Sequence, residues 1–446
     1  MVLVAMVVIA AAVVFRDSSD ESAAQTSVSS TRPENPYEQG RTLGVTQTLQ
    51  AYTDALRRAD PEAALAQLDP SADAALRTET EISAAGVSDL PLTTFEYRLA
   101  DTRDFEQLVP AQVQETLDAA GSIDSWVAPV QLRYAYAGID SVAVVVDIPM
   151  VMARYPDGWR IVAEAAPLFG QTPAPGQVWQ FPDPSAQEVA TSPGESLVLT
   201  NGTDRGFADD IAGQLPAAVS AVNRFWGTKW PQSVGVIAAE TDDEFRSITG
   251  AGADDAGAAA AVTVFAGIDR SEGAAPTAVG QRVVFTPQAA QLDSANLAVI
   301  LRHEVFHIAA RAVTAENAAI WITEGVAEYV GRQGTYTDLS QAAPALAEAI
   351  ATTGPPEDLP SDAGFAPSNP DAAVSYQSAW SVAAFIAEKF GEDKLRNFYV
   401  ALAGADKPVE PALVVAAQDT ASQVVLKIPR EELVRQWRDW LTAQIR

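Results

Sequence analysis

This 446-residue sequence predicts an α+β architecture in two folded units, preceded by an apolar N-terminal segment. Three observations carry the prediction. Near the start, helical stretches come first and strand-like runs follow, an order typical of α+β units. In the second half, short apolar strands precede a series of amphipathic helices. One of those helices holds the only two histidines of the chain, His303 and His307, with Glu304 between them.

Taken in order, residues 2–15 form an unbroken apolar run, followed by Arg16 and the acidic Asp17-Ser18-Ser19-Asp20-Glu21. As a helix the run is about 21 Å long, against a hydrocarbon core of about 30 Å. No basic residue precedes it. Residues 1–16 therefore read as a single-pass membrane anchor whose natural start lies upstream of Met1, with a cleaved signal segment as the alternative. The expected location is the cell membrane with the folded units outside the cytoplasm, or secretion if the segment is cleaved. Residues 17–43 are rich in Ser, Thr, Glu and Pro and read as a flexible tether.

The first folded unit is expected over 44–168. Val45, Leu49, Tyr52 and Leu56 give a helical stripe, and Pro61 opens a shorter helix through Ala64, Leu65 and Leu68. Strands follow at 94–100, 130–136 and 142–151. A turn at Pro156-Asp157-Gly158 then leads into Trp159-Arg160-Ile161-Val162, a hairpin signal. This segment resembles NTF2-like domains, down to the glycine turn before a closing Trp-Arg strand. The resemblance implies an α+β cone without a catalytic motif, serving as an accessory or docking module.

Pro173, Pro175, Pro182 and Pro184 mark the passage to a second unit, expected over 176–446. Its strands are predicted at 196–200, 234–239, 261–266 and 282–286. A helix carrying Ile211, Leu215, Val219 and Val222 lies between the first two. The Ala- and Gly-rich stretch 250–280 reads as a mobile loop near a cleft. After Pro429 a last helix packs Leu433, Trp437 and Leu441.

The chemistry concentrates in Leu301-Arg302-His303-Glu304-Val305-Phe306-His307. Asp293 or Ser294 offers an N-cap, and Leu297, Ile300, Leu301, Val305 and Ile308 supply the apolar stripe. On a helix, residues i and i+4 share a face, so both imidazoles reach one metal ion. Glu304 then stands beside the metal as a general base. This is the His-Glu-x-x-His signature of zinc peptidases. A third ligand has to be a carboxylate, because the chain has no cysteine and no further histidine. The glycine and third-histidine positions of the metzincin pattern hold Ala310 and Val313. Glu316, Glu324 and Asp338 are the candidates.

Trp321-Ile322-Thr323-Glu324-Gly325-Val326-Ala327-Glu328-Tyr329 resembles the second zinc-site helix of gluzincins, the peptidase MA-like domains, with their W-x-x-E-G-x-A-E-Y pattern. The resemblance implies a thermolysin-like domain with one Zn²⁺ per chain on two helices and Glu324 as third ligand. Glu328, one turn later, is placed to accept the free ring N–H of a ligating histidine. Asp338 only partly matches the aspzincin pattern, since Gln341-Ala342 replaces its closing Tyr-Gly. Such domains carry a later helix that often opens on tyrosine. Here Ser375-Tyr376-Gln377-Ser378-Ala379-Trp380 opens one that ends at Gly391, making Tyr376 the expected electrophile and Tyr329 the fallback. Gluzincins also set a substrate-aligning edge strand before the zinc helix, a position held by 282–285. Arg302 and Arg311 read as solvent-facing or structural charges.

The function expected is hydrolysis of a peptide or protein substrate by a zinc-activated water. The aminopeptidase marker G-x-M-E-N is absent, which points to endopeptidase action. The alternative is a catalytically silent, membrane-anchored binding or regulatory protein. Net charge of −29 excludes nucleic acid as a partner, since phosphate would be repelled. Without cysteine there is no disulfide framework.

Overall fold

The computed structural model describes residues 35–101, 107–251, 259–270, 275–336, 338–366 and 368–444. The apolar run 2–15 and the tether up to residue 34 lie outside them. Among the described residues, no helix is long and apolar enough to cross a membrane.

The first unit opens with α1 (Pro36–Arg57), α2 (Pro61–Leu65) and α3 (Ala74–Gly86). Helix α1 begins ahead of the expected boundary at Gly44, because Asn35 caps it and Pro36 takes the first turn. Then come β1 (Leu92–Leu99), α4 (Ala111–Ala119), β2 (Asp124–Ala128), β3 (Val130–Tyr136), β4 (Val144–Asp147), β5 (Met150–Tyr155), β6 (Gly158–Glu164) and α5 (Ala165–Leu168). They form two antiparallel three-stranded sheets, β1-β3-β4 and β2-β5-β6. The expected strand 142–151 is split at Ile148-Pro149, where proline cannot donate to a ladder. Helix α1 packs on β1 and β6, burying Val45, Leu49, Tyr52 and Leu56.

The second unit begins with β7 (Ser185–Thr191), β8 (Gly194–Thr200), α6 (Gly206–Trp226), β9 (Gly235–Ala238), α7 (Asp242–Thr249) and β10 (Ala261–Val264). A small hairpin, β11 (Gly267–Asp269) and β12 (Thr277–Val279), leads to β13 (Arg282–Phe285). The remainder is helical: α8 (Ser294–Ala310), α9 (Ile320–Arg332), α10 (Leu339–Ala342), α11 (Pro344–Thr353), α12 (Ala372–Phe390), α13 (Glu392–Ala403), α14 (Pro411–Ala421) and α15 (Arg430–Gln444). The sheet order is β10-β13-β9-β8-β7. Strand β13 is thus interior, paired with β10 on one side and β9 on the other. This corrects the expected edge strand: β10 holds the edge, at the end nearest the zinc-motif helix. Strand order across a sheet is not written in local sequence. The described part of 250–280 includes the strands β10, β11 and β12, while 252–258 and 271–274 lie outside the described residues.

Strand alternation assigns each face of this sheet to a different layer. Val198, Val236, Ala238, Ala261, Val283 and Phe285 join the core formed by α6, α8, α9 and α12. Leu197, Leu199, Ile237, Val262, Val264 and Val284 join the core of the first unit. Burying an aliphatic side chain contributes about 1.5–3 kcal/mol, so six of them are comparable with the whole stability of a typical domain. The first unit is therefore the second covering layer of this sheet. The connecting segment reinforces the joint. Trp179 is fully buried with its ring against Phe95, Tyr134 and Tyr136. Arg282 of β13 reaches Asp140, in the β3–β4 loop, through contacts of 3.0 and 2.5 Å with both partners buried.

Candidate metal centre

Helix α8 places the motif. Asp293 accepts from the Asn296 amide at 2.9 Å and caps the helix, which then lies on the sheet with Leu297, Ile300, Leu301 and Val305 buried. Two glycines let its partners approach. A Cβ at Gly331 would stand 2.8 Å from Val299 O, so glycine permits the α8–α9 contact. A Cβ at Gly325 would stand 2.6 Å from Ala379 O, so the residue after Glu324 brings α9 against α12.

These contacts bring His303, His307 and Glu324 together. The two Nε2 atoms lie 3.0 Å apart; His303 Nε2 is 3.3 Å from Glu324 Oε2, and His307 Nε2 is 3.5 Å from Glu324 Oε1. The three side chains form a group able to hold a metal ion. His303 and Glu324 are buried, and His303 Nδ1 has no hydrogen-bond partner. Tetrahedral zinc, with bonds of ~2.0–2.2 Å, spaces its ligand atoms about 3.3 Å apart. The observed separations bracket that value, so the residues fit the ion.

The electrostatics express the same convergence. Burial pulls the His303 pKa down, but the hydrogen bond and charge of Glu324, with Glu328 and Glu304, outweigh it and hold it at about 9. Burial pushes Glu324 up, but the facing charge of His307 and the hydrogen bonds of both imidazoles bring it to about 2.

Glu304 is fully buried. Its Oε2 accepts from Thr263 Oγ1 at 2.6 Å, and its Oε1 has no partner. Thr263 sits on β10 and was not singled out in the sequence, because a contact across 41 positions leaves no local signal. Glu328 stands 3.7 Å from His303 Nδ1 and accepts from Arg332 Nε. That distance is beyond a direct hydrogen bond, but the geometry faces the ring nitrogen that the metal would leave free.

Tyr376 is buried on α12 with its ring edge-on to Phe365, centroids 4.9 Å apart. Burial first, then the charges of Glu324, Glu328 and Glu304, raise its hydroxyl far above the ordinary phenol value, so it stays a donor. Tyr329, the fallback, is committed elsewhere: its hydroxyl bonds Glu392 Oε1 at 2.9 Å. Asp338 is exposed and caps α10 through the Gln341 amide, so it lies apart from the group. Glu316 is exposed at the wall of the adjoining cleft. Arg302 bridges helix ends, donating to Ala298 O, Gln333 O and Thr335 Oγ1. The cleft beside the group is lined by Thr263, Phe265, His307, Arg311, Glu324 and Tyr399 among others.

No family model matches the chain, and no curated protein does. Among solved structures it is similar to the M1 zinc metallopeptidase from Deinococcus radiodurans, with 14% identity and a TM-score of 0.33 over 68% of this chain and 59% of that one. A variant of the same description, bound to a Tyr-Ser-Ala substrate, gives 13% identity and a TM-score of 0.35, over 68% and 60%. A two-domain M1 zinc metallopeptidase variant bound to L-tryptophan gives 11% and 0.32 over the same shares. The chain thus spans about 60% of the length of these structures.

Proposed function

We propose that the chain is a zinc-dependent metallopeptidase of the gluzincin type, one Zn²⁺ per chain, acting as an endopeptidase on peptide or protein substrates. The observation that carries this reading is the spacing of His303 Nε2, His307 Nε2 and the Glu324 carboxylate, at 3.0 to 3.5 Å, with Glu304 on the same helix. When bound, zinc supplies Lewis acidity, polarising the scissile carbonyl and acidifying the attacking water.

The chain's own groups supply the rest. Glu304, held at Oε2 by Thr263, takes the proton of the attacking water at Oε1 and delivers it to the leaving amine. Tyr376 donates a hydrogen bond to the developing oxyanion. Glu328 orients the His303 ring. Strand β10, with its outer edge free of strand partners among the described residues, aligns the substrate backbone. The first unit is read as an NTF2-like layer that completes the sheet. The folded units lie outside the cytoplasm, held by a single-pass anchor at residues 1–16, a reading supported by the apolar sequence of that segment.

The test compares the zinc-loaded parent with Glu304→Gln on an unfolded protein substrate such as casein. Hydrolysis by the parent, lowered at least 100-fold in the variant with zinc retained, supports the reading. Equal rates would overturn it.

A further inference from the structure

We propose that the cleft beside the metal group is a substrate-carboxylate pocket with Arg311 as its anchor; the proposal rests on the metallopeptidase reading for the identity of that substrate. His303, His307 and Arg311 are spaced i, i+4 and i+8, and Arg311, the C-cap of α8 with helical backbone angles, lies one turn beyond the second imidazole. The cleft wall includes His307, Glu324 and Arg311 together.

The guanidinium is fixed in place. Its Nη2 donates to the carbonyls of Thr314 and, at 3.0 Å, Ala315. Its carbon lies 4.7 Å from the centre of the Phe265 ring. Two hydrogen bonds and a ring contact remove most of the side-chain freedom that a substrate would otherwise have to restrict. Among the described residues the guanidinium forms no ion pair, and its Nε has no partner. Glu316, exposed at the wall, acts on the guanidinium through its charge but forms no ion pair with it. A half-buried guanidinium held by two backbone carbonyls and a ring, and in no ion pair among the described residues, matches a carboxylate one turn from the reacting centre. That carboxylate belongs either to an Asp or Glu side chain near the scissile bond or to a free C-terminus.

Binding separates these sources without requiring turnover. The full-length, zinc-incubated Glu304→Gln chain is titrated calorimetrically with Ac-Ala-Ala-Glu-Ala-NH2 and with its Gln counterpart. The pair Ac-Ala-Ala-Ala-Ala-OH and its amide is measured alongside. A charge-assisted hydrogen bond of ~1.5–3 kcal/mol predicts roughly 10- to 100-fold tighter binding of one acidic member. Preference for the Glu peptide assigns a side-chain pocket; preference for the free acid assigns a C-terminal one. Adding Arg311→Gln should abolish the preference while leaving the affinity for the neutral peptides in place, and Arg311→Lys should restore part of it. Equal binding of acidic and neutral members overturns the pocket. Failure of the metallopeptidase reading shows separately, as a parent chain that holds no zinc and cleaves nothing.

Discussion

Thr263 Oγ1 donates a 2.6 Å hydrogen bond to Glu304 Oε2, tying the edge strand of the five-stranded sheet to the proposed general base. The hydroxyl fills one carboxylate oxygen and leaves Oε1 free. Thr263→Val keeps the shape and removes the donor. A bond to a charged group contributes about 1.5–3 kcal/mol, so kcat should fall at least ten-fold with KM nearly unchanged. Thr263→Ser should recover most of the loss in steady-state kinetics. A variant that lowers kcat no more than two-fold would show that the base needs no positioning.

Glu324 faces both imidazoles, whereas Asp338 is spent on a helix cap. Glu324→Ala should weaken zinc binding by two or more orders of magnitude in a chelator competition, and Asp338→Ala should leave it unchanged. The reverse pattern would reject the ligand set.

The metal-free group should titrate in a defined window. His303 is raised to about 9 from 6.5, so its contribution to stability is complete below pH 6.5 and is lost as pH climbs through 9. Glu324 is lowered to about 2 from 4.5, so its contribution is complete above pH 4.5 and is lost as pH falls through 2. Thermal melts of the metal-free protein should therefore show this contribution at its fullest between about pH 4.5 and 6.5. Zinc requires a neutral His303 imidazole, so its affinity should rise as pH climbs toward 9, with proton release. Calorimetry in two buffers of different ionisation enthalpy measures that release directly, and zinc binding without protons leaving would contradict the assignment.

Arg282 and Asp140 form a buried pair across the two units, and removing one partner strands the other charge. Asp140→Ala should cost about 3–5 kcal/mol in denaturant unfolding. A double replacement by apolar residues of similar volume should cost much less. A loss below 1 kcal/mol for the single variant would mean that the units are held by their apolar core alone.

How much of this was legible depends on sequence distance. The His303-Glu304-His307 helix was readable because its cap, stripe and chemistry all lie within one short segment. Glu324 was readable because α9 repeats a recognisable pattern. The hairpin at Pro156-Asp157-Gly158 and the stop at Gly391 were readable from turn chemistry, and the structure has both. Helix α3 was missed although Asp73 caps it, since its Thr- and Glu-rich surface dilutes the apolar stripe. Strand β7 was missed because its sequence, Ser-Ala-Gln-Glu-Val-Ala-Thr, belongs to a partly exposed edge with few apolar residues. Taking 282–285 for the edge strand followed from nearness to α8 in the chain. The ladder instead puts β10 outside it, and that choice also hid Thr263. Arg311 read as a solvent-facing or structural charge, because its place in the cleft wall beside His307 and Glu324 exists only in three dimensions.

The most direct test of the central claim is the zinc content of the full-length chain, purified without added metal and measured by elemental mass spectrometry against protein concentration. Close to one zinc per chain is expected (~1, the stoichiometry of a three-ligand catalytic site), lost on Glu324→Ala. No bound zinc, even after incubation with an excess, would contradict it.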